Sequence, residues 1–509
     1  MSLPEWITQY KEPRTEIKKI NDRFYKYEVK YVYDKEKKRT IKKTVRLLGG
    51  ITEDKGFSPS EKDELRIYCE QISTIDIKTY GLYFLFSTLL ARETTTLKKA
   101  FGDEIAGALL SFSMMRWGYQ CPIKRAGNYH SHDFCSEELF SNALNDKCIT
   151  GILRTVGENR EKVIGWMKSL LDDLPEDGKN FVMMDSTHVQ SLSGNLNVNA
   201  VGYNSDFTFE KQVRLMYLFS SQMKQPVYYR MINGNITDVK SMALCVKEFD
   251  EDDVIYIADR GFYSTSNIEM LEDEKLQYII PMRRNNSLID FSILQQSEFK
   301  KQINFFSYQN RIIWYYSYQK DNNQIVTFLD EHLRVSEEND YLTRIKTHPE
   351  NYSIEKYYQK LHSFGTLSVT YKINSGTIQQ TKKSKKSKKQ KGDTEIPICQ
   401  MIYETYKTRN EVEVMFDSYK NFLDADITYM QNRHVMEGWL FANFIAMIAY
   451  YKLYVKLKQA NKLAKYSPKD IIELSKSIYK LKCRGVWRIS EITLKVDELF
   501  KKIGIDYLK

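Results

Sequence analysis

Between Ile402 and Asn421 the sequence IYETYKTRNEVEVMFDSYKN places Tyr406, Arg409, Glu413 and Lys420 at offsets of 0, 3, 7 and 14. On one continuous α-helix, turning about 100° per residue, those offsets fall at roughly 0°, 300°, 340° and 320°. The spacing predicts a stripe about 60° wide that carries a phenol, two fixed cations and a carboxylate. Such a stripe is poor core material. It suits a metal ion held beside a phosphate chain, because the carboxylate can take the metal and the cations the phosphates. At a rise of about 1.5 Å per residue, Lys420 lies roughly 10 Å beyond Glu413, more than one nucleotide step along a strand.

Two more acids stand out by position. Asp185 closes the run NFVMMD and Asp259 closes DVIYIAD, each of which reads as a short buried strand ending in an acid. Strand-end carboxylates lie at a sheet edge, where two can converge on a metal. Divalent ions held by a few carboxylates can activate a water or a 3′-hydroxyl and stabilise the leaving oxygen of an in-line displacement. Oxygen donors suit Mg²⁺ or Mn²⁺ better than zinc. Any one strand-end Asp is more often a helix cap, so the weight rests on the three acids taken with the stripe.

The elements that would position these groups follow from periodicity. From about 179 to 283 the order is strand, two-strand hairpin (KQVRLMYLFSS and PVYYRMI), helix (TDVKSMALCVKEF), strand, helix (SNIEMLEDEK) and strand (LQYIIPM). Residues 286–395 carry aromatic, β-branched runs and read as a mostly β insertion. It ends in KKSKKSKKQK, with seven lysines in residues 381–391, a run that reads as a loop able to touch DNA. The striped helix opens a second part of the core, 396–457, and 458–509 reads as short helices, possible dimerisation elements. Upstream, residues 22–50 alternate as a hairpin, and 34–46 hold seven Lys/Arg against two acids. Residues 1–56 are therefore a basic β-hairpin arm, either lying on phosphates or simply a solvated face. Residues 57–175 are helical. They are compatible with a helix-turn-helix reader of DNA, although plain helical bundles are commoner.

Composition narrows the class. With 509 residues the chain is long enough for several structural units, and 36 tyrosines supply ample core material. A net charge of +10 and a pI near 8.9 favour a polyanionic partner. Seven cysteines without CxxC spacing predict a reducing compartment rather than a disulfide framework. The start lacks an apolar signal region, and WLFANFIAMIAYYKLYV reads as a buried helix, so an intracellular (nucleoid-associated) protein with no membrane partner is expected. Cys121, His130, His132 and Cys135 have ligand chemistry but irregular spacing that matches no zinc module. His188 reads as a neighbour of Asp185, not as a ligand or base.

The spacing Tyr406-x2-Arg409-x3-Glu413-x6-Lys420 resembles the YREK signature of DDE transposases of the IS-four type, and MMDSTHV, GNITD (234–238) and IADRGF resemble that family's surroundings. The resemblance covers roughly 180–285 and 396–450. It implies a ribonuclease-H-like α/β catalytic core (176–285 and 396–457) interrupted by the β insertion, with helical N-terminal DNA-binding and C-terminal regions. It implies Asp185, Asp259 and Glu413 as catalytic, metal-binding residues for Mg²⁺, with Mn²⁺ as a substitute. Tyr406, Arg409 and Lys420 would bind the non-transferred DNA strand. Trp314, the only tryptophan between Asn286 and Glu395, would receive a flipped base, against the commoner reading of a sheet-core tryptophan. The implied partners are element ends with inverted repeats, target DNA and a second copy of the chain in a synaptic homodimer. The implied activity is metal-dependent cleavage and strand transfer in cut-and-paste transposition, through a hairpin end in some relatives. Two other readings remain: a transposase-derived DNA-binding protein that no longer cuts, and a metal nuclease of the same fold acting on other substrates.

Overall fold

The computed structural model describes residues 3–35, 38–72, 76–173, 180–202, 209–251, 253–374, 397–483 and 485–507. The lysine run at 381–391 lies outside the described residues. The chain divides into two compact units, residues 1–79 with 478–491, and residues 80–477 with 492–509.

The first unit is mainly β. Strands β1 (Thr15–Ile20), β2 (Arg23–Asp34), β3 (Arg39–Thr52) and β4 (Gly56–Pro59) form an antiparallel sheet in sequence order. Helix α1 (Glu61–Ile72) and strand β5 (Asp76–Thr79) follow, and β5 pairs with a hairpin made by Tyr479–Cys483 and Val486–Ile489. The tail is thus not all helical. In YKLKC apolar residues alternate with lysines, a period of two that fits a strand, and VWRI pairs with it.

The second unit opens with a run of helices: α2 (Gly81–Leu89), α3 (Ala91–Phe101), α4 (Asp103–Tyr119), α5 (Ile123–Ser131), α6 (Asp146–Glu158) and α7 (Arg160–Ser169). They share this unit with the sheet that follows. Its strands are β6 (Asn180–Ser191), β7 (Ala200–Val201), β8 (Lys211–Ser220) and β9 (Gln225–Asn233). Helix α8 (Asp238–Phe249), β10 (Val254–Ala258), α9 (Thr265–Asp273) and β11 (Gln277–Pro281) come next. β6, β10 and β11 are parallel, while β8 and β9 run antiparallel. Every residue of β10 and β11 is buried, as expected of strands covered on both faces. Alternation assigns the covers. Tyr217 and Tyr229 face the carboxy-terminal helices, with Phe444 at 5.9 and 5.3 Å from them, whereas Tyr228 packs on Phe249 of α8 at 5.0 Å.

The described part of this stretch, residues 286–374, extends this same sheet. β12 (Asn304–Tyr308), β13 (Arg311–Lys320), β14 (Asn323–Asp330) and β15 (Thr366–Lys372) continue it outward, joined through β15 to β11. Between β14 and β15 stand two helices, α10 (Glu331–Thr347) and α11 (Ile354–Lys360), so the segment is α/β rather than mostly β. Asp330 starts α10 by accepting from the amides of His332 (3.0 Å) and Leu333 (3.2 Å). That cap, followed by a run of helix-favouring residues, overrides the β-rich flanks.

The chain then forms α12 (Ile398–Lys407), α13 (Asn410–Asp417), a π-helical turn (Ser418–Phe422), the short strand β16 (Ile427–Thr428) and the long α14 (Arg433–Gln459). Two further helices, α15 (Pro468–Ser475) and α16 (Leu494–Lys502), complete the unit. Although α14 is apolar enough to cross a membrane, 72% of its most apolar window is buried inside the protein. It packs against α4, α6 and β9. The approach to α6 is so close that a Cβ on Gly157 would lie 1.9 Å from the His434 carbonyl oxygen, and one on Gly438 would lie 2.1 Å from that of Leu153. Only hydrogen fits between backbones at that distance. Gly157→Ala should therefore lower stability by about 1–3 kcal/mol, the cost of overpacking. Thermal unfolding of the full chain checks this, and an unchanged midpoint would show that the helices are not locked at this point.

Candidate active site

Sheet geometry brings the first two acids together. The β6–β10 register ends with Met184 opposite Ala258, so Asp185 and Asp259 are the next residues on neighbouring parallel strands about 4.8 Å apart. Asp185 does not end its strand. β6 runs on to Ser191 because β8 pairs with it from Val182 to Gln190. What ends at Asp185 is the partner on the other side: β10 stops, and β16 takes over only at Gln190 and Ser191. Among the described residues, positions 185–189 of β6 thus face a gap in the sheet.

α13 lies over this gap, on the face that Asp185 shares with its register partner Tyr217, whose ring meets Phe416 at 5.8 Å. The expected single helix is broken. α12 ends at Lys407, and Arg409 N–H donates to Tyr406 O (3.1 Å) while Val412 N–H donates to Arg409 O (2.9 Å). Thr408 Oγ1 also donates to the carbonyl of Thr405 at 2.6 Å, a local bond that competes with helix continuation. A turn of three residues nearly eclipses Tyr406 and Arg409. It also swings the Arg409 side chain inward.

The guanidinium of Arg409 lands among all three acids. Its Nη1 is 3.7 Å from Asp185 Oδ2 and 3.7 Å from Asp259 Oδ1, and its Nη2 donates to Glu413 Oε1 at 2.7 Å. Arg409 keeps only 16% of its side chain exposed, against 56% for Glu413. Burial works against the guanidinium charge, but Asp259, Tyr406, Asp185 and Glu413 together outweigh it and raise its pKa. Burial pushes the Asp185 carboxyl up to about 6, despite the Ser186 amide and Arg409, which pull it down. The Tyr406 phenol is also raised, by burial first and then by Asp259. The structure thus brings Tyr406 and Arg409 to the acids.

Lys420 and Trp314 stand apart. Lys420 lies in the π-helical turn, partly buried. That turn is braced from the helical region by buried Arg116, which donates to the carbonyls of Leu423 and Asp424 and to Asn443 Oδ1 (3.0 Å). Trp314 on β13 packs beside Leu294, Ile303, Tyr316 and Leu329, and its Nε1 donates to Glu331 Oε2 at 3.3 Å. β14, β15 and β11 separate β13 from β10, a span of about 19 Å at 4.8 Å per strand step. His188 sits on the sheet face away from Asp185, opposite Arg214.

A fourth acid escaped the sequence reading. Asp238, the first residue of α8, accepts from Ser186 Oγ at 2.6 Å and from Arg214 Nη1, while its Oδ2 lies 4.0 Å from where a Cβ on Gly261 would stand. It bonds the residue after Asp185 and lies beside the turn after Asp259. Its signal was the last letter of GNITD, at a position that reads equally well as an ordinary helix start.

Among the described residues no three His, Cys, Asp or Glu stand close enough to hold a metal; the carboxylates are arranged around a guanidinium instead. That side chain occupies a point at which positive charge is favoured from three sides. The donors are all hard oxygens, the set that fits Mg²⁺ or Mn²⁺.

Protonation of Asp185 couples stability to pH. Its folded pKa lies above the unfolded value, so its contribution to stability is complete below about pH 4 and is lost as pH rises through about 6. Asp185→Asn should remove up to about 3 kcal/mol of that pH dependence, leaving the variant more stable than wild type at pH 8 but not at pH 4. Urea unfolding in chelator across that range tests it; parallel curves would contradict the burial of this charge.

The model of a family described as "Transposase DDE domain" matches residues 176–449, more than half of the chain and all of the site just described. None of the curated proteins matches this sequence. Among solved structures, a piggyBac transposase synaptic complex with hairpin DNA is similar at 11% identity and a TM-score of 0.35, covering 78% of this chain and 70% of that one. A Mos1 transposase paired-end complex is similar at 11% identity and a TM-score of 0.14, covering 31% and 54%.

Proposed function

This chain belongs to the transposase DDE-domain family, and on that premise we propose that it is a DNA transposase of the IS-four, YREK-signature type, with Asp185, Asp259 and Glu413 as its metal-binding acids. The observation that supports this reading most is the convergence of those three carboxylates on one guanidinium. The strand order β9–β8–β6–β10–β11, an antiparallel hairpin beside three parallel strands, supports a ribonuclease-H-like core. In this reading residues 286–395 are the insertion between the second Asp and the Glu. The substrates are element ends with inverted repeats and then target DNA, handled by a synaptic homodimer, with a hairpin end as one route.

Bound Mg²⁺ or Mn²⁺ would supply an activated oxygen nucleophile and charge at the leaving oxygen. The chain does the positioning. Asp185 and Asp259 are fixed by strand register, whereas exposed Glu413 approaches from a helix. Arg409 exchanges its carboxylate partners for a phosphate of the non-transferred strand, since a guanidinium pairs with either anion through the same planar donors. Tyr406 stays neutral and can donate a hydrogen bond, and Lys420 adds a point charge further along the strand. Trp314 is the proposed stacking surface for an unpaired base.

The test is cleavage of a labelled duplex carrying the flanking inverted repeat, in Mg²⁺, by wild type and by Glu413→Gln. Wild type should nick at the repeat boundary, and the variant should lose cleavage by on the order of a thousandfold while binding the duplex as before. Asp259→Asn should behave alike. Arg409→Ala and Lys420→Ala should impair steps after the first nick, and Trp314→Ala hairpin formation alone. Wild type that binds the repeat without cutting, in Mg²⁺ and in Mn²⁺, would instead identify a non-catalytic DNA-binding protein of transposase descent.

A further inference from the structure

The β2–β3 hairpin outruns its sheet. β1 pairs with β2 only as far as Glu28, and β4 reaches β3 only from Gly49 onward. From Val29↔Thr44 to Asp34↔Arg39 no third strand pairs with these two among the described residues, although the Val29 amide still donates to the Arg14 carbonyl at 2.8 Å. This makes a two-stranded ribbon of six residue pairs, about 20 Å long at 3.4 Å per residue.

Its charge is one-sided. Described residues 29–35 and 38–44 hold Lys30, Lys35, Lys38, Arg39, Lys42 and Lys43 against Asp34. Glu16 engages Lys42 at 2.8 Å. Lys30 and Lys43, however, stand directly opposite each other in the register, and both are exposed. Like charges in that relation destabilise a sheet. On the other face Tyr31 and Tyr33 are 63% and 60% exposed, two residues apart, with Lys42 and Thr40 opposite them. An opposed lysine pair on one face and bare aromatic rings on the other suit contact with a polyanion that also offers flat apolar edges.

We propose that this ribbon is an arm that enters the major groove of duplex DNA, its cations toward the phosphate walls and its tyrosines toward the base edges. The major groove, about 12 Å wide, admits a two-stranded ribbon, and 20 Å of ribbon spans about six base pairs at 3.4 Å each. The proposal rests on DNA being the partner of this chain, not on the chain cutting it.

The test is fluorescence anisotropy of the full chain with a mixed-sequence 30-base-pair duplex, in chelator, over a salt series. Lys43→Glu turns the opposed lysines into an attractive pair, so the melting temperature should hold or rise while affinity falls about tenfold. The salt slope should fall by roughly one to two. Lys30→Glu should act alike, and Tyr31→Ala with Tyr33→Ala should weaken binding without changing the slope. Methyl green, a major-groove ligand, should compete with the chain, and the minor-groove ligand distamycin should not. Affinity and slope unchanged in Lys43→Glu would overturn the proposal and leave the lysines as a guard against edge-to-edge pairing. Competition by distamycin alone would overturn the groove assignment. Wild type that fails to bind any duplex would overturn the transposase reading as well, which distinguishes the two failures.

Discussion

Three ionised carboxylates that face one part of a partly buried cleft repel one another unless a cation stands among them. At about 5 Å and an effective dielectric near 20, two such charges repel by about 3 kcal/mol, and a third adds to this. In this chain the cation is Arg409, and much of the surrounding architecture follows from putting it there. α12 ends before α13 begins, and Arg409 sits in the turn between them. At the break Thr408 Oγ1 donates to the Thr405 carbonyl. The π-helical turn after α13 is held by buried Arg116, a residue some three hundred positions earlier in sequence.

The acids themselves are placed by two different kinds of structure. Asp185 and Asp259 owe their proximity to the parallel register of β6 and β10, which admits little adjustment. Behind them Asp238 bonds Ser186 and Arg214, so the strand carrying Asp185 and the start of α8 move together. Glu413 is different. It stands on a helix bounded by a tight turn and a π-helical turn, and it is the most exposed of the three. Two acids are therefore placed by sheet register and the third by a helix.

Much of this was legible in the sequence because the core strands are buried on both faces and read as unbroken apolar runs. Asp185 and Asp259 stood out as the acids that close such runs. The true length of β6 was hidden, since STHVQS carries no apolar run and is a strand only because β8 lies beside it. The inward turn of Arg409 was also hidden: helical periodicity assumes the helix it is used to test. The helices at 331–360 were masked by their β-rich neighbours and revealed by one capping aspartate. Asp238 was in view throughout, but its role depends on what lies across the sheet.

The glycine contact between α6 and α14 bears on how the chain is made. The two helices touch backbone to backbone, yet about 275 residues separate Glu158 from Arg433. At synthesis rates of 5–20 residues per second, roughly 14–55 seconds pass between the completion of one and the appearance of the other. Throughout that interval α4 and α6 present to solvent the apolar surface that α14 will cover. For about half of its synthesis the nascent chain is an incomplete helical layer, completed only when the last sixth of the chain arrives.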